Sequence, residues 1–206
     1  MLHVGITGGI GSGKTTACKI FETLRIPVYY ADARAKWLME HDAQLRAGIV
    51  GHFGREAYTD SGSLNRGWIA AKVLSDPALL NALNALVHPV VARDALKWQE
   101  SQYKVPYTLK EAALLFESGS FRLLDKIIVV TAPLEVRIAR VMERDRASRE
   151  TVLGWISRQM PEEEKAARAD FLIRNDGAHP LVPQVMAVHQ SLVALSTGRE
   201  EIFRRL

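Results

Sequence analysis

The chain has 206 residues, 48% of them hydrophobic and 24% charged, which suits one compact α/β domain or a core carrying one inserted lobe, large enough to bury a core without disulfides or metals. That balance excludes global disorder, and no apolar run approaches the roughly 18 residues of a membrane span. A net charge of +4 is too mild to imply nucleic acid by itself and suits an anionic small substrate.

Residues 2–7 (LHVGIT) read as a short buried strand running into a glycine-rich loop. From Lys14 to about Leu24, Ala17, Ile20, Phe21 and Leu24 recur at helical spacing. Residues 26–30 (IPVYY) read as a second strand, with proline tolerated at its start. From Asp32 to about Gln102 the pattern is helical, with turn signals at Thr59-Asp60-Ser61-Gly62 and Asp76-Pro77. That is too long for a simple crossover and predicts a separate lobe. Strands are expected at 107–111 and 126–131, the second an unbroken β-branched run of the kind covered on both faces. Helices are expected over 134–146 and 148–168, a last strand at 170–173 and a terminal helix over about 180–196. Strands alternating with helices imply a parallel sheet with right-handed crossovers.

The start of the chain lacks the basic and long apolar regions of a secretory signal. Cys18 is the only cysteine, so a reducing, cytoplasmic setting is expected. His3, His41, His52, His88, His179 and His189 show no short metal-ligand spacing and read as surface or packed residues.

The strongest motif is Gly8-Gly9-Ile10-Gly11-Ser12-Gly13-Lys14-Thr15. It matches G-x-x-x-x-G-K-[ST] between a predicted strand and a predicted helix, the context a phosphate-binding P-loop requires. Glycines let successive N–H groups curl around a phosphate, and the helix N-terminus adds partial positive charge. On this reading Gly11, Ser12, Gly13, Lys14, Thr15 and Thr16 hold ATP, Lys14 meets the β- and γ-phosphates and the Thr15 hydroxyl meets Mg²⁺. The chain contains neither an N-K-x-D nor an L-S-G-G-Q element, which leaves a small kinase as the favoured class.

Asp32 follows the second strand, where the carboxyl ends of parallel strands share one crevice. It suits a general base on an attacking hydroxyl, or a helix N-cap. Between 137 and 158, Arg137, Arg140, Arg144, Arg146, Arg149 and Arg158 face three acids, a local +3. Arg137, Arg140 and Arg144 share a helix face, and a helical lid could bring one of them, Arg140 first, to a transferring phosphoryl group. The alternative is a solvated face of ion pairs with Glu143 or Asp145.

Across nearly its whole length the chain resembles the dephospho-CoA kinase family. The resemblance rests on ITGGIGSGKTT, YADARAK, Leu86-Val87-His88-Pro89, Leu114-Leu115-Phe116-Glu117, VVTAPLEVRIARVMERD and the late ADFLIRNDG. It implies a P-loop fold like that of nucleoside monophosphate kinases: a five-stranded parallel sheet, an inserted helical substrate lobe and a helical lid. The expected core is 1–31, 104–133 and 169–206, the lobe about 32–103 and the lid about 134–168. The implied reaction is ATP-dependent phosphorylation of the ribose 3′-hydroxyl of dephospho-CoA, with Mg²⁺. Asp32 is then the base, Lys14 and Arg140 assist transfer, and Asp32, Lys36 and His88 meet the substrate. Asn175 lies beside the adenine, and Glu111 holds a water on Mg²⁺.

His88 could equally brace a turn before Pro89, and Glu117 could be structural or orient groups near the substrate. The implied partners are the two small-molecule substrates, with neither nucleic acid nor membrane, in a monomer or weak homo-oligomer. The chain departs from the family in carrying Tyr30-Ala31-Asp32 where D-A-D is common, Ala113 where proline usually precedes Leu-Leu-Phe-Glu, and Lys36 for a frequent arginine. The rival readings are a kinase with another acceptor, such as a nucleoside monophosphate, and a non-catalytic ATP-binding module.

Overall fold

The computed structural model describes the backbone of residues 1–205 and the side chains of residues 1–198; Leu206, the end of the expected core segment, lies outside the described residues. The chain divides into two compact units, residues 1–30 with 102 onward, and Ala31–Ser101.

The first unit is built on a five-stranded sheet in the order β2-β3-β1-β4-β5. The strands are β1 (Leu2–Thr7), β2 (Val28–Tyr30), β3 (Tyr107–Glu111), β4 (Lys126–Thr131) and β5 (Phe171–Arg174), and every pairing is parallel. Register sets Ile6, Tyr30 and Glu111 in one row at the carboxyl end of the sheet. The strand period of two sends Leu2, Val4 and Ile6 of β1, Tyr107 and Leu109 of β3, Ile128 and Val130 of β4 and Ile173 of β5 to one face. There they meet Ala17, Cys18 and Phe21 of α1 (Lys14–Thr23) and the Val185, Val188 and Leu192 side chains of the terminal helix. Polar bonds fix that helix as well: the Tyr107 hydroxyl and His189 Nδ1 are 2.8 Å apart, and Ser196 Oγ donates to Pro106 O at 2.7 Å.

The second unit is helical: α2 (Ala31–His41), α3 (Ala43–Phe53), α4 (Arg66–Ser75) and α5 (Pro77–Glu100). Side chains at the helix entrances satisfy amides that would otherwise lack partners: Asp42 accepts from Leu45 N–H, Asn65 from Trp68 N–H, and Asp76 from Ala78 N–H with Pro77 opening α5. The 76–77 signal opens α5, and at 59–62 the Gly62 N–H donates to Thr59 O at 2.8 Å, so both turn signals do what the sequence predicts. Leu38, Leu45, Ile49, Phe53, Ile69, Val87, Val91 and Ala95 are buried. Arg34 forks onto Asp94 at 2.8 and 2.9 Å and lies 4.1 Å from the Trp37 ring, and Arg46 lies 4.3 Å from the Tyr58 ring.

Several boundaries differ from expectation. The second strand starts at Val28, after Pro27. The helix expected over 148–168 is two helices, α7 (Arg149–Ile156) and α8 (Glu162–Ala167), because Pro161 stands at the entrance of the second. They follow α6 (Leu134–Asp145), which a left-handed Arg146 terminates. The terminal helix, α9, runs from Leu181 to Arg205, well past 196. No turn precedes Pro89: α5 continues through it. Among the described residues no helix is long and apolar enough to cross a membrane.

Candidate active site

The loop between β1 and α1 is built for an anion. Gly13 is the residue before α1, with φ of 91° and no side-chain cap, so the helix presents its amino end bare. A Cβ at Gly13 would collide with Asn175 Nδ2, and one at Gly11, φ 78°, would lie 2.5 Å from the Arg137 carbonyl oxygen. Both positions combine left-handed backbone with a neighbour that leaves no room, which restricts them to glycine. Lys14 is 9% exposed and donates across the loop to Gly8 O at 2.9 Å and Gly9 O at 3.4 Å. Ser12 Oγ is fully buried and has no hydrogen-bond partner; such a group calls for a ligand acceptor. Thr15 and Thr16 are exposed on the first turn of α1.

Asn175 and Arg140 join the loop. Asn175 Nδ2 donates to Ser12 O at 2.8 Å and its own N–H to Thr131 O at 2.8 Å, which ties the end of β5 to the loop and to β4. Arg140 Nη1 donates to Asn175 O at 3.0 Å and reaches Gly11 O at 3.5 Å. Of the three arginines expected on one face of α6, the structure separates the roles. Arg140 is half-buried against the loop. Arg137 is buried and paired with Glu162 at 2.6 Å. Arg144 is exposed and clamps Asp145 at 2.7 and 2.8 Å, an ion pair of the solvated-face kind.

Glu111 closes β3, 7% exposed. With Lys14 it forms part of the electrostatic surroundings of Cys18, whose thiol is pushed far up by burial first and then by the Glu111 and Glu22 carboxylates. Tyr30, where the family often carries an acid, packs against the sheet core, and its hydroxyl is likewise pushed up by burial and by Cys18, Glu22 and Glu111. Glu117 is tied into the fold by Lys165 and the Met160 N–H. Burial works against its ionisation, yet the hydrogen bonds from Lys165 and Met160 N–H win and hold its carboxyl below the usual range. Lys165, fully buried, lies 2.9 Å from Glu117 and donates to Ala113 O at 3.2 Å.

In the helical unit Asp32 is exposed in the first turn of α2, inside the helix rather than at the capping position before it. Lys36 follows one turn later on the same face, also exposed. His88 is exposed mid-way along α5.

Sequence reasoning missed a second layer behind the loop. Ile10 packs with Ile138, Val141 and Val152 of α6 and α7, and its N–H donates to Gln159 Oε1 at 2.8 Å. Glu162 Oε1 accepts from Ala132 N–H at 2.8 Å, and burial raises its carboxyl despite the opposing Arg137 charge. A cavity of about 370 Å³ lies beside this pair, lined by Pro133, Leu134, Leu172 and Arg174 among others. The one available signal was the Gln159-Met160-Pro161 sequence, where proline interrupts a helical pattern.

Comparison with known proteins agrees with this architecture. A family model described as dephospho-CoA kinase matches residues 2–180. The dephospho-CoA kinase of Porphyromonas gingivalis is 40% identical over 193 residues, 93% of this chain and 95% of that protein. The one from Salinibacter ruber is 42% identical over 179 residues, 86% and 90% of the two chains. A crystal structure from Thermus thermophilus superposes with a TM-score of 0.79 at 37% identity, covering 94% of this chain and 96% of the other. The dephospho-CoA kinase from Campylobacter jejuni shares the fold at a TM-score of 0.69 and 24% identity, covering 96% and 98%. With a glycine-rich phosphate loop on a parallel sheet and relatives matched along almost their full length, the chain belongs to the dephospho-CoA kinase family.

Proposed function

We propose that the chain transfers the γ-phosphoryl group of ATP to the ribose 3′-hydroxyl of dephospho-CoA, giving coenzyme A and ADP. The observation that carries this reading is the phosphate loop itself, with a bare helix amino end, a buried lysine laid across it and a buried serine hydroxyl lacking a partner, in a chain of this family. Backbone amides of residues 11–16 and Lys14 hold the phosphates. Arg140, already against the loop at Asn175 and Gly11, neutralises charge that develops on the transferring group.

Asp32 accepts the proton of the ribose hydroxyl. Support comes from the chain itself: the row Ile6–Glu111–Tyr30 marks the carboxyl edge of the sheet, and Asp32 follows it by two residues, exposed. Lys36, one turn on, and His88 are the proposed substrate contacts. Thr15 and Glu111 offer a hydroxyl and a carboxylate, hard oxygen donors of the kind magnesium takes alongside substrate phosphates; when bound, the ion would neutralise charge on the β- and γ-phosphates. The core formed by the first unit outside α6 to α8, the substrate lobe formed by Ala31–Ser101 and the lid formed by α6 to α8 complete the reading. The lid keeps water, a competing acceptor, from the phosphoryl group. We place the enzyme in the cytoplasm as a monomer or weak homo-oligomer.

The test is ADP release from MgATP with dephospho-CoA, beside AMP, adenosine and no-acceptor controls, with the product weighed by mass spectrometry. Dephospho-CoA-dependent ADP and a product heavier by one phosphate support the proposal. Turnover with a different acceptor alone, or none by folded protein that binds ATP, refutes it.

A further inference from the structure

We infer that Gln159 is a positioning residue for nucleotide binding: its side-chain carbonyl holds the Ile10 amide and so sets the shape of the phosphate loop before ATP arrives. The inference rests on the loop being the ATP site. Ile10 is the one large side chain among the glycines at the tip of the loop, and it is held from two sides. Its side chain packs into the apolar cluster of α6 and α7, formed by Ile138, Val141 and Val152. Its N–H donates to Gln159 Oε1 at 2.8 Å, across 149 residues of sequence.

Gln159 is itself braced. Its own N–H donates to Ile156 O at 3.0 Å in the turn that closes α7. The next residue, Met160, donates its N–H to Glu117 Oε1 at 2.8 Å. Glu117 also meets the fully buried Lys165 at 2.9 Å. Seven residues, 159–165, are thereby pinned to the segment after β3, and they carry the Gln159 acceptor to the loop at a fixed place. A glycine-rich loop has many conformations of similar energy. An anchor at Ile10 removes that freedom in advance, so the amides that follow need not be ordered at the expense of binding energy. The side chain at this place must present an acceptor, because Ile10 offers an N–H donor.

The test uses the full chain labelled with ¹⁵N, comparing wild type with Gln159→Leu and Gln159→Glu. Leucine fills the volume and removes the acceptor; glutamate keeps an acceptor. Gln159→Leu is expected to speed exchange of the Ile10 amide about tenfold or more and to raise Kd for ADP and KM for ATP about tenfold, the scale of one hydrogen bond lost from a preorganised site. Its kcat and its KM for dephospho-CoA stay within about twofold of wild type, which general destabilisation would not allow. Gln159→Glu restores Ile10 protection; nucleotide affinity is compared only between glutamine and leucine, since an added negative charge would itself repel phosphate. Should Gln159→Leu fail to fold, Gln159→Asn, too short to reach, replaces it with the same expected exchange and affinity changes.

Unchanged Ile10 exchange, unchanged ADP affinity in the leucine variant, or exchange in Gln159→Glu as fast as in Gln159→Leu would each overturn the inference. If wild type binds no ADP, the ATP-site reading falls, and the role assigned to Gln159 falls with it. Ile10 exchange then reports on the contact alone, so the two failures are distinguishable.

Discussion

The two units differ in how deeply they place charge. In the helical unit, cations lie on aromatic rings and half-exposed carboxylates: Arg34 on Trp37 and Asp94, Arg46 on Tyr58. The sheet unit carries exposed pairs as well, Arg144 on Asp145 among them, but among the described residues it alone also takes cations inside, with Lys14 and Arg137 under 10% exposed and Lys165 fully buried. A charge left near water contributes little to stability and is easily exchanged. A buried one must be met by matched partners, because removing the partner leaves an ion stranded. The sheet unit therefore holds the costly groups, Lys14 of the phosphate loop among them, and the helical unit has none comparable among its described residues.

Substitutions that move charge test that contrast. Lys14→Ala should have the largest effect, lowering kcat/KM by about 10²-fold or more through lost phosphate positioning, read in the ADP-release assay. Asp32→Asn should reduce kcat by about 10²-fold or more while leaving the ADP Kd near wild type; wild-type turnover would refute the base assignment. Lys165→Met should destabilise the fold by about 1–3 kcal/mol, since the Ala113 carbonyl loses its donor and Glu117 its counter-ion. Adding Glu117→Gln should recover part of that loss, and chemical denaturation reads both.

The same pair predicts a pH dependence. Because the Glu117 carboxyl titrates below its ordinary value when folded, its contribution is fully present above the unfolded glutamate pKa of about 4.5. It is lost as pH falls through the lower folded value. The acid limb of the stability curve should therefore flatten in Glu117→Gln. Arg34→Lys, at 39% side-chain exposure, should show the smallest change, about 0.2–1 kcal/mol; a loss as large as that of Lys165→Met would erase the distinction between the units.

What could be read from the sequence follows from how local each feature is. The phosphate loop was legible because its eight residues are contiguous and its physics is local. The five strands and their parallel direction were legible from alternation of β-branched runs with helices, though their order in the sheet was not. Helical spacing correctly put Arg137, Arg140 and Arg144 on α6, but spacing does not say which of them a neighbouring element will cover. That depended on Glu162, on a helix that the reading had merged with α7 because the break at Pro161 went unheeded. Asn175 is expected beside the adenine from the resemblance and reads locally as a turn; its bond to Ser12 O, which makes it a strut between β5 and the loop, carries no local signal. Gln159 was invisible because Ile10, the partner that gives it a role, lies 149 residues away. Contacts of that kind are decided by packing and leave no periodicity.

The burial of Cys18 on α1 has a practical consequence. Its thiol is fully enclosed and pushed far above the ordinary range by burial and by Glu111 and Glu22, so the nucleophilic thiolate is scarce in the folded state. A thiol-reactive dye in the assay should count the pantetheine sulfur of the substrate and leave the folded enzyme unlabelled. The slow labelling that does appear would then be a clock for the unfolding of the nucleotide-binding core, running in the same cuvette as the reaction.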